Sequence, residues 1–216
     1  MNQTQTNNFS MLLRFPAQVI SYLFHPLFIP TYILLFLTYQ FPYEFAGIDV
    51  HHLQLRVFSV FWMTAFFPAF AVLLLWRLKF IESILLKTQK ERIIPFVITM
   101  FFYWWMYYLS RNFKDQPEAL KFFYFGIFIS TALGLIINNF IKISLHAIAA
   151  GGAVAAVILF SVFYQTPLGI AIGVTTVLAG LICTCRLIVS NHTTQEIYTG
   201  LFVGIICQLI GYWFAM

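Results

Sequence analysis

The sequence predicts an all-α protein, a polytopic transmembrane helical bundle with six to seven spanning helices. Two observations lead to this fold class. Hydrophobic residues make up 61% of the 216 positions and charged residues only 9%, too little charge to cover a water-soluble domain of this size. The apolar residues also gather into stretches of about 20 residues, the length that a helix needs to cross a hydrocarbon core about 30 Å thick.

Seven apolar stretches follow one another along the chain, and each is expected to be a helix because the bilayer core offers no water to satisfy backbone groups. The stretches cover roughly residues 17–39, 57–76, 93–109, 122–141, 143–163, 167–185 and 193–214. Residues 17–216 are therefore expected to form one transmembrane domain. Residues 1–16 are interpreted as a short polar lead-in, uncharged before Arg14 and without the basic start of a secretory signal.

The positions of the basic residues are informative, since ionisable residues are costly at apolar boundaries. They fall mainly in the connection at 77–92, in the loop at 111–121, at Lys142 and at Arg186. With seven crossings, the first, third and fourth of these places lie on one face of the membrane. The crossing count thus brings three separate stretches, around 77–92, Lys142 and Arg186, to one surface of the membrane protein, the site face.

The first of these stretches is "LLKTQKERIIPF", residues 85–96. It offers Lys87, Lys90 and Arg92 where a helix is expected to begin. Taken alone they are a weak signal, because basic residues that flank a membrane helix are ordinary interfacial anchors.

The second stretch, "NNFIKISLHAIAAGG" at 138–152, carries Ser144 and His146 two positions apart. Both can face one ligand most easily where a loop turns into a helix, because on a regular helix they would point to different sides. A helix that begins near Ser144 would add free N–H groups and a positive dipole end, which favour an anion. The alternative is that Ser144 is an N-cap and His146 an interfacial histidine.

The third stretch, "CRLIVSNHTTQE" at 185–196, contains Arg186, His192 and Glu196. Residues four apart share a helix face, so the carboxylate can accept the imidazole N–H and leave the other ring nitrogen free to attack or to move a proton. The alternative is a capping box of Thr193 and Glu196. The composition gives this Arg, His and acid spacing an expected frequency of about 0.005 per chain.

The three stretches resemble the motifs of the type 2 phosphatidic acid phosphatase superfamily, membrane enzymes that hydrolyse lipid phosphates and pyrophosphates without a metal. The third family motif is Ser-Arg, five residues, His, three residues, Asp. Arg186 and His192 match it in place, with Cys185 where Ser is usual and Glu196 where Asp is usual.

The other two motifs match less closely. The second family motif is Pro-Ser-Gly-His; Ser144 and His146 match it, and Ile and Leu replace its Pro and Gly. The first is Lys, six residues, Arg-Pro; here Lys87 precedes Arg92 by five positions, and Pro95 follows after two isoleucines.

The resemblance implies a role for each matched residue. His192 would attack phosphorus to form a phosphohistidine, Glu196 would hold and polarise it, and His146 would act as general acid. The residues expected to bind phosphate are Lys87, Arg92, Lys142, Ser144 and Arg186. The implied substrate is a lipid phosphate such as phosphatidate, undecaprenyl pyrophosphate or lipid A, and no metal or other cofactor is expected.

Other functions stay open at this stage. The same histidine chemistry would serve a lipid phosphotransferase, and a transporter or structural membrane protein would use the polar residues as caps and anchors. The net charge of +5 is spread over loops, so no nucleic-acid partner is expected, only membrane lipids and the substrate.

Three further histidines lie outside these motifs. His25 is interpreted as a helix-break histidine beside Pro26 and Pro30, with a place at the border of the site as the alternative. His51 and His52 are expected in a connection on the opposite face.

The membrane orientation is judged from charge and from the resemblance. Eight Lys and Arg residues lie on the site face and four on the other, but four of the eight are candidates for phosphate binding. The resemblance favours an extracytoplasmic site, so we expect a bacterial inner-membrane protein whose site faces the periplasm.

Overall fold

The structure is a computed structural model that describes residues 10–86, 88–113, 115–189 and 192–215. Over these residues the chain is helical and contains no strand. Within the described ranges, seven helical segments are long and apolar enough to cross a membrane, which confirms the predicted fold class and shows an integral membrane protein.

The first two spans are interrupted and the other five are continuous. The first consists of α1 (Met11–Leu23), a 3-10 turn (Pro26–Phe28) and α2 (Ile29–Gln40), and the second of α3 (Val50–Phe61), a π-helical segment (Trp62–Phe66) and α4 (Phe67–Arg77). The others are α5 (Gln89–Asn112), α6 (Glu118–Asn138), α7 (Leu145–Phe163), α8 (Gly169–Val189) and α9 (Thr194–Ala215).

Four helices begin earlier than the hydropathy predicts, α5 and α6 by four residues and α1 and α3 by more. Helix α1 begins at Met11, inside the segment 1–16 interpreted as a lead-in, because the apolar run "MLLRF" already supports a helix. Helix α3 begins at Val50, because Asp49 caps it by accepting the backbone N–H of His52 at 2.8 Å. The placement of His51 and His52 in a connection was therefore wrong, since both lie in the first turn of α3.

Helix α7 lies inside the bundle, where it packs against α6, α8 and α9. The closest approach is between α7 and α9, which run parallel. A Cβ at Gly204 would lie 2.0 Å from the carbonyl oxygen of Ile148, and one at Gly200 would lie 2.8 Å from that of Ser144. This small-residue contact brings the N-terminal ends of α7 and α9 together on the site face.

Candidate active site

His192 lies immediately before α9, and its ring contacts the first turn of that helix. Nδ1 of His192 is 2.8 Å from Oε2 of Glu196, and the His192 side chain is only 3% exposed. A carboxylate only accepts hydrogen bonds, so Nδ1 carries the proton and Nε2 has the free lone pair. Nε2 is therefore the nitrogen that can act as a nucleophile.

The same carboxylate caps α9. Oε2 of Glu196 accepts the backbone N–H of Thr193 at 3.1 Å, and the backbone N–H of Glu196 donates to Oγ1 of Thr193 at 3.2 Å. These two bonds form the capping box that the sequence offers as the alternative to histidine support. Both interpretations hold at once, because one oxygen atom serves the cap and the imidazole.

Ser144 and His146 lie at the start of α7. Ser144 is fully buried and is the N-cap of this helix, since its Oγ accepts the backbone N–H of Ala147 at 3.4 Å. Its backbone N–H donates to the carbonyl of Glu196 at 3.4 Å, which joins the second stretch to the third. Nε2 of His146 donates to the carbonyl oxygen of Ser21 at 3.0 Å, so Nδ1 is the nitrogen left for chemistry.

Arg92 joins the first stretch to the second from its position in the first turns of α5. Its guanidinium is buried and donates from Nε to the carbonyl of Leu86 at 2.9 Å and from Nη1 to that of Ile143 at 3.0 Å. These two bonds use two of its five N–H groups. The guanidinium therefore positions two connections of the site face at once.

Two more of the predicted phosphate-binding residues, Lys142 and Arg186, are half-buried in the same cluster. Burial lowers the pKa of the Lys142 ammonium, and the charges of Arg92 and Arg186 lower it further, while Glu196 acts in the opposite direction. Lys87, the remaining predicted phosphate ligand, lies outside the described residues.

The same charges act on His192. Burial is the main reason that its pKa falls to about 4, and Arg92 and Arg186 also lower it, whereas the hydrogen bond to Glu196 raises it. The imidazole is therefore neutral over the physiological range of pH. Arg92, Lys142 and Arg186 thus lie near the pair of His192 and Glu196, and this local excess of positive charge favours a bound anion.

His25 joins the site from the break in the first span. Its Nδ1 accepts the backbone N–H of Leu27 at 3.4 Å, as expected for a histidine that caps a helix break. Its ring also lies edge-to-face against His146, with 5.2 Å between the centroids. His25 therefore caps the helix break and also borders the candidate site, and Pro26 was the sequence signal for the break.

Comparison with known proteins gives no relative: no protein-family model, no curated protein and no solved structure matches the chain. Among the described residues, no three His, Cys, Asp or Glu side chains lie close enough together to hold a metal ion. The fold and the site define an integral membrane protein with a buried histidine, its carboxylate partner and a cluster of cations.

Proposed function

We propose that the protein is a membrane lipid phosphatase of the type 2 phosphatidic acid phosphatase kind, which hydrolyses a lipid phosphate or pyrophosphate monoester through a phosphohistidine. The observation that supports this proposal is the buried pair of His192 and Glu196 beside three cations. A phosphate group supplies the negative charge that this cluster needs, and its oxygens suit guanidinium donors.

In the first half-reaction, Nε2 of His192 attacks phosphorus and the bond from phosphorus to the lipid oxygen breaks. His146 enters this step as the imidazolium, with protons on both ring nitrogens beside the bound phosphate. It gives the departing oxygen the proton on Nδ1, while its Nε2–H stays bound to the carbonyl of Ser21. Glu196 accepts the Nδ1–H of His192 and stabilises the positive charge that the ring gains.

In the second half-reaction, water attacks the phosphohistidine and gives a proton to Nδ1 of His146. The bond between phosphorus and Nε2 of His192 breaks, inorganic phosphate leaves, and both histidines return to their starting states. The products are the lipid alcohol and phosphate, and no oxidant, reductant or metal takes part.

The remaining residues bind the phosphoryl oxygens as charge develops on them. Arg92 has three N–H groups beyond its two carbonyl bonds, and Lys142 and Arg186 add two further cations. The hydroxyl hydrogen of Ser144 is available for a phosphoryl oxygen, because Oγ is the acceptor in its N-cap bond.

The test is phosphate release in detergent from phosphatidate, undecaprenyl pyrophosphate and lipid A. We expect His192→Ala to lower the rate by about 10⁴-fold on the lipid that is a substrate, because the nucleophile is removed. A chelator is expected to leave the wild-type rate unchanged.

His52→Ala is the matched control. His52 also pairs with a carboxylate, Nδ1 to Oδ2 of Asp49 at 2.6 Å, but it is exposed and lies outside the cluster. We expect this variant to keep full activity. Equal release by wild type and His192→Ala on every lipid would contradict the proposal.

We further propose that the site faces the periplasm of a bacterial inner membrane. The resemblance of the motifs supports this orientation, and the charge distribution does not oppose it once the four candidate phosphate ligands are set aside.

A further inference from the structure

A cavity of about 240 Å³ lies inside the membrane region beside the candidate active site. His25 and Arg92 line one part of it, and Tyr103 and Gln208 line another. His25 contacts the ring of His146, and Arg92 binds the carbonyl of Ile143, so the first part of the cavity adjoins the residues proposed to handle phosphate.

The depth of the cavity matches one leaflet of a bilayer. Arg92 and Tyr103 are both on α5 and both line it, and at 1.5 Å of rise per residue they lie about 16 Å apart along the helix axis. Half of a hydrocarbon core is about 15 Å thick. The walls between these levels are mostly apolar, with Pro30, Phe96 and Ile148 among them.

Gln208 gives the inner part of the cavity a polar group. The residue is 1% exposed, and its Nε2 donates to the carbonyl of Phe123 at 3.3 Å. Its Oε1 is buried and has no hydrogen-bond partner among the described residues. An acceptor left unpaired at this depth is costly, so an occupant that brings a donor to it would bind more tightly.

We propose that this cavity binds the chain of a single-chain lipid anion, with the phosphate at Arg92 and a hydroxyl on the inner part of the chain donating to Gln208. The identification of the head group as a phosphate rests on the proposed function. The cavity adds the substrate class, a lipid with a single chain. The chain of this substrate leaves the bilayer and is enclosed by the protein, while its phosphate lies beside His192.

The enclosed chain is tested by photo-crosslinking the full-length protein in lipid nanodiscs. The probe is an alkyl phosphonate, which resists hydrolysis, with a diazirine at the last carbon of its chain. We expect mass spectrometry to place the cross-links at Tyr103 and Gln208. Cross-links on Phe101 and Trp104, which are 52% and 39% exposed on the outer side of α5, would overturn the proposal.

A pair of matched variants tests the route into the cavity. Thr99 lines the cavity, so Thr99→Phe fills it, whereas Val97→Phe adds the same side chain at an exposed position on α5. We expect Thr99→Phe to lower cross-linking at Gln208 at least tenfold and Val97→Phe to leave it unchanged. Equal cross-linking in both variants would contradict the proposal that the protein encloses the lipid chain.

The head group is tested with an alcohol of the same chain that carries the same diazirine. Since Arg92 is proposed to hold the phosphate, the alcohol should label Gln208 at least tenfold less than the phosphonate. Equal labelling by the two probes would contradict the proposal that the site binds an anionic head group.

The hydroxyl is tested by competition between alkyl phosphonates with and without a terminal hydroxyl. We expect the hydroxylated competitor to displace the probe at about fivefold lower concentration, the factor that one hydrogen bond of ~1 kcal/mol gives. Gln208→Met, which keeps the length of the side chain and removes the amide, should abolish the difference. A preference that persists in Gln208→Met would overturn the role of Gln208.

The two proposals fail separately. Cross-linking at Gln208 without phosphate release from any lipid would keep the chain site and reject the phosphatase. Phosphate release with cross-links only on Phe101 and Trp104 would support the phosphatase activity and contradict the proposal that the protein encloses the lipid chain.

Discussion

Glu196 accepts two hydrogen bonds through one oxygen atom, the N–H of His192 at 2.8 Å and the backbone N–H of Thr193 at 3.1 Å. The cap fixes the carboxylate relative to α9, and the carboxylate fixes the imidazole. A second capping box, Thr88 with Glu91 at the start of α5, has the same backbone geometry but no histidine partner among the described residues. Variants of the two capping boxes therefore distinguish the effect of helix capping from the effect of supporting the His192 ring.

Glu196→Gln is expected to lower phosphate release by about 10²- to 10⁴-fold with little change in thermal stability. Glutamine still caps the helix, but it is neutral and cannot stabilise positive charge on His192. Steady-state rates and thermal unfolding in detergent measure the two effects. Glu91→Gln serves as the control and should keep full activity; an equal loss of activity in both variants would contradict the role of Glu196.

The pH dependence of the reaction follows from the environment of His192. Burial, Arg92 and Arg186 bring its pKa to about 4, below the ordinary value of 6.5, so the fold disfavours the protonated ring. The stability that neutral His192 contributes is complete above pH 6.5 and is lost as the pH falls toward 4.

The pH profile of kcat/KM reports the pKa values of the free enzyme. We therefore expect the acid limb of this profile to lie near pH 4. Phosphate release is measured across the acid range at constant ionic strength, with acid unfolding followed on the same samples. An acid limb centred near pH 6.5, with the protein still folded, would contradict the burial and charge environment assigned to His192.

At the scale of elements, the contact of α7 with α9 determines how close the second and third stretches come. Ser144 begins α7 and donates its backbone N–H to the carbonyl of Glu196 in the first turn of α9. The glycines of α9 permit this approach. Gly169 and Gly173 on α8 have the same spacing, but a Cβ on either would meet nothing within 4 Å, so that spacing forms no helix contact among the described residues.

Gly204→Ala is expected to destabilise the protein by about 1–3 kcal/mol, the usual cost of overpacking. The added Cβ would lie 2.0 Å from the carbonyl oxygen of Ile148 and 2.6 Å from the backbone nitrogen of Gly152, and neither atom can rotate away. The helices must separate, which also moves Ser144 away from Glu196 and lowers phosphate release.

The control is Gly173→Ala, since that Cβ enters open space and alanine favours a helix by up to ~1 kcal/mol. Thermal unfolding in detergent compares the two variants. Equal unfolding midpoints for Gly204→Ala and Gly173→Ala would show that the close approach of α7 and α9 does not limit stability.

At the scale of the whole molecule, the sequence was sufficient for the seven spans, because each apolar run is long enough to cross a bilayer by itself. The crossing count was also sufficient to bring Arg92, Ser144 and Glu196 together, and hydrogen bonds now join their stretches. The crossing count was not sufficient to choose between the two interpretations of His25 or to place Gln208 beside the site. Their surroundings depend on which spans are neighbours, and hydropathy does not carry that information.

The orientation of the molecule is the remaining property at this scale. Eight Lys and Arg residues on the site face against four on the other would place the site in the cytoplasm. Arg92, however, is buried and bound to the carbonyls of Leu86 and Ile143, and Lys142 and Arg186 are half-buried in the same cluster. Cations held inside the fold are not free interfacial anchors. With these three and Lys87 set aside, the two faces carry four basic residues each.

We therefore expect the site in the periplasm and, after seven crossings, the C-terminus in the cytoplasm. A fluorescent protein that folds only in the cytoplasm, fused after the last residue, should fluoresce, and alkaline phosphatase fused at the same point should be inactive. The reciprocal control places both reporters in the connection between α3–α4 and α5, on the site face, where the pattern should reverse. Active alkaline phosphatase at the C-terminus would place the cation cluster in the cytoplasm, and the phosphatase would then act on lipids of the inner leaflet.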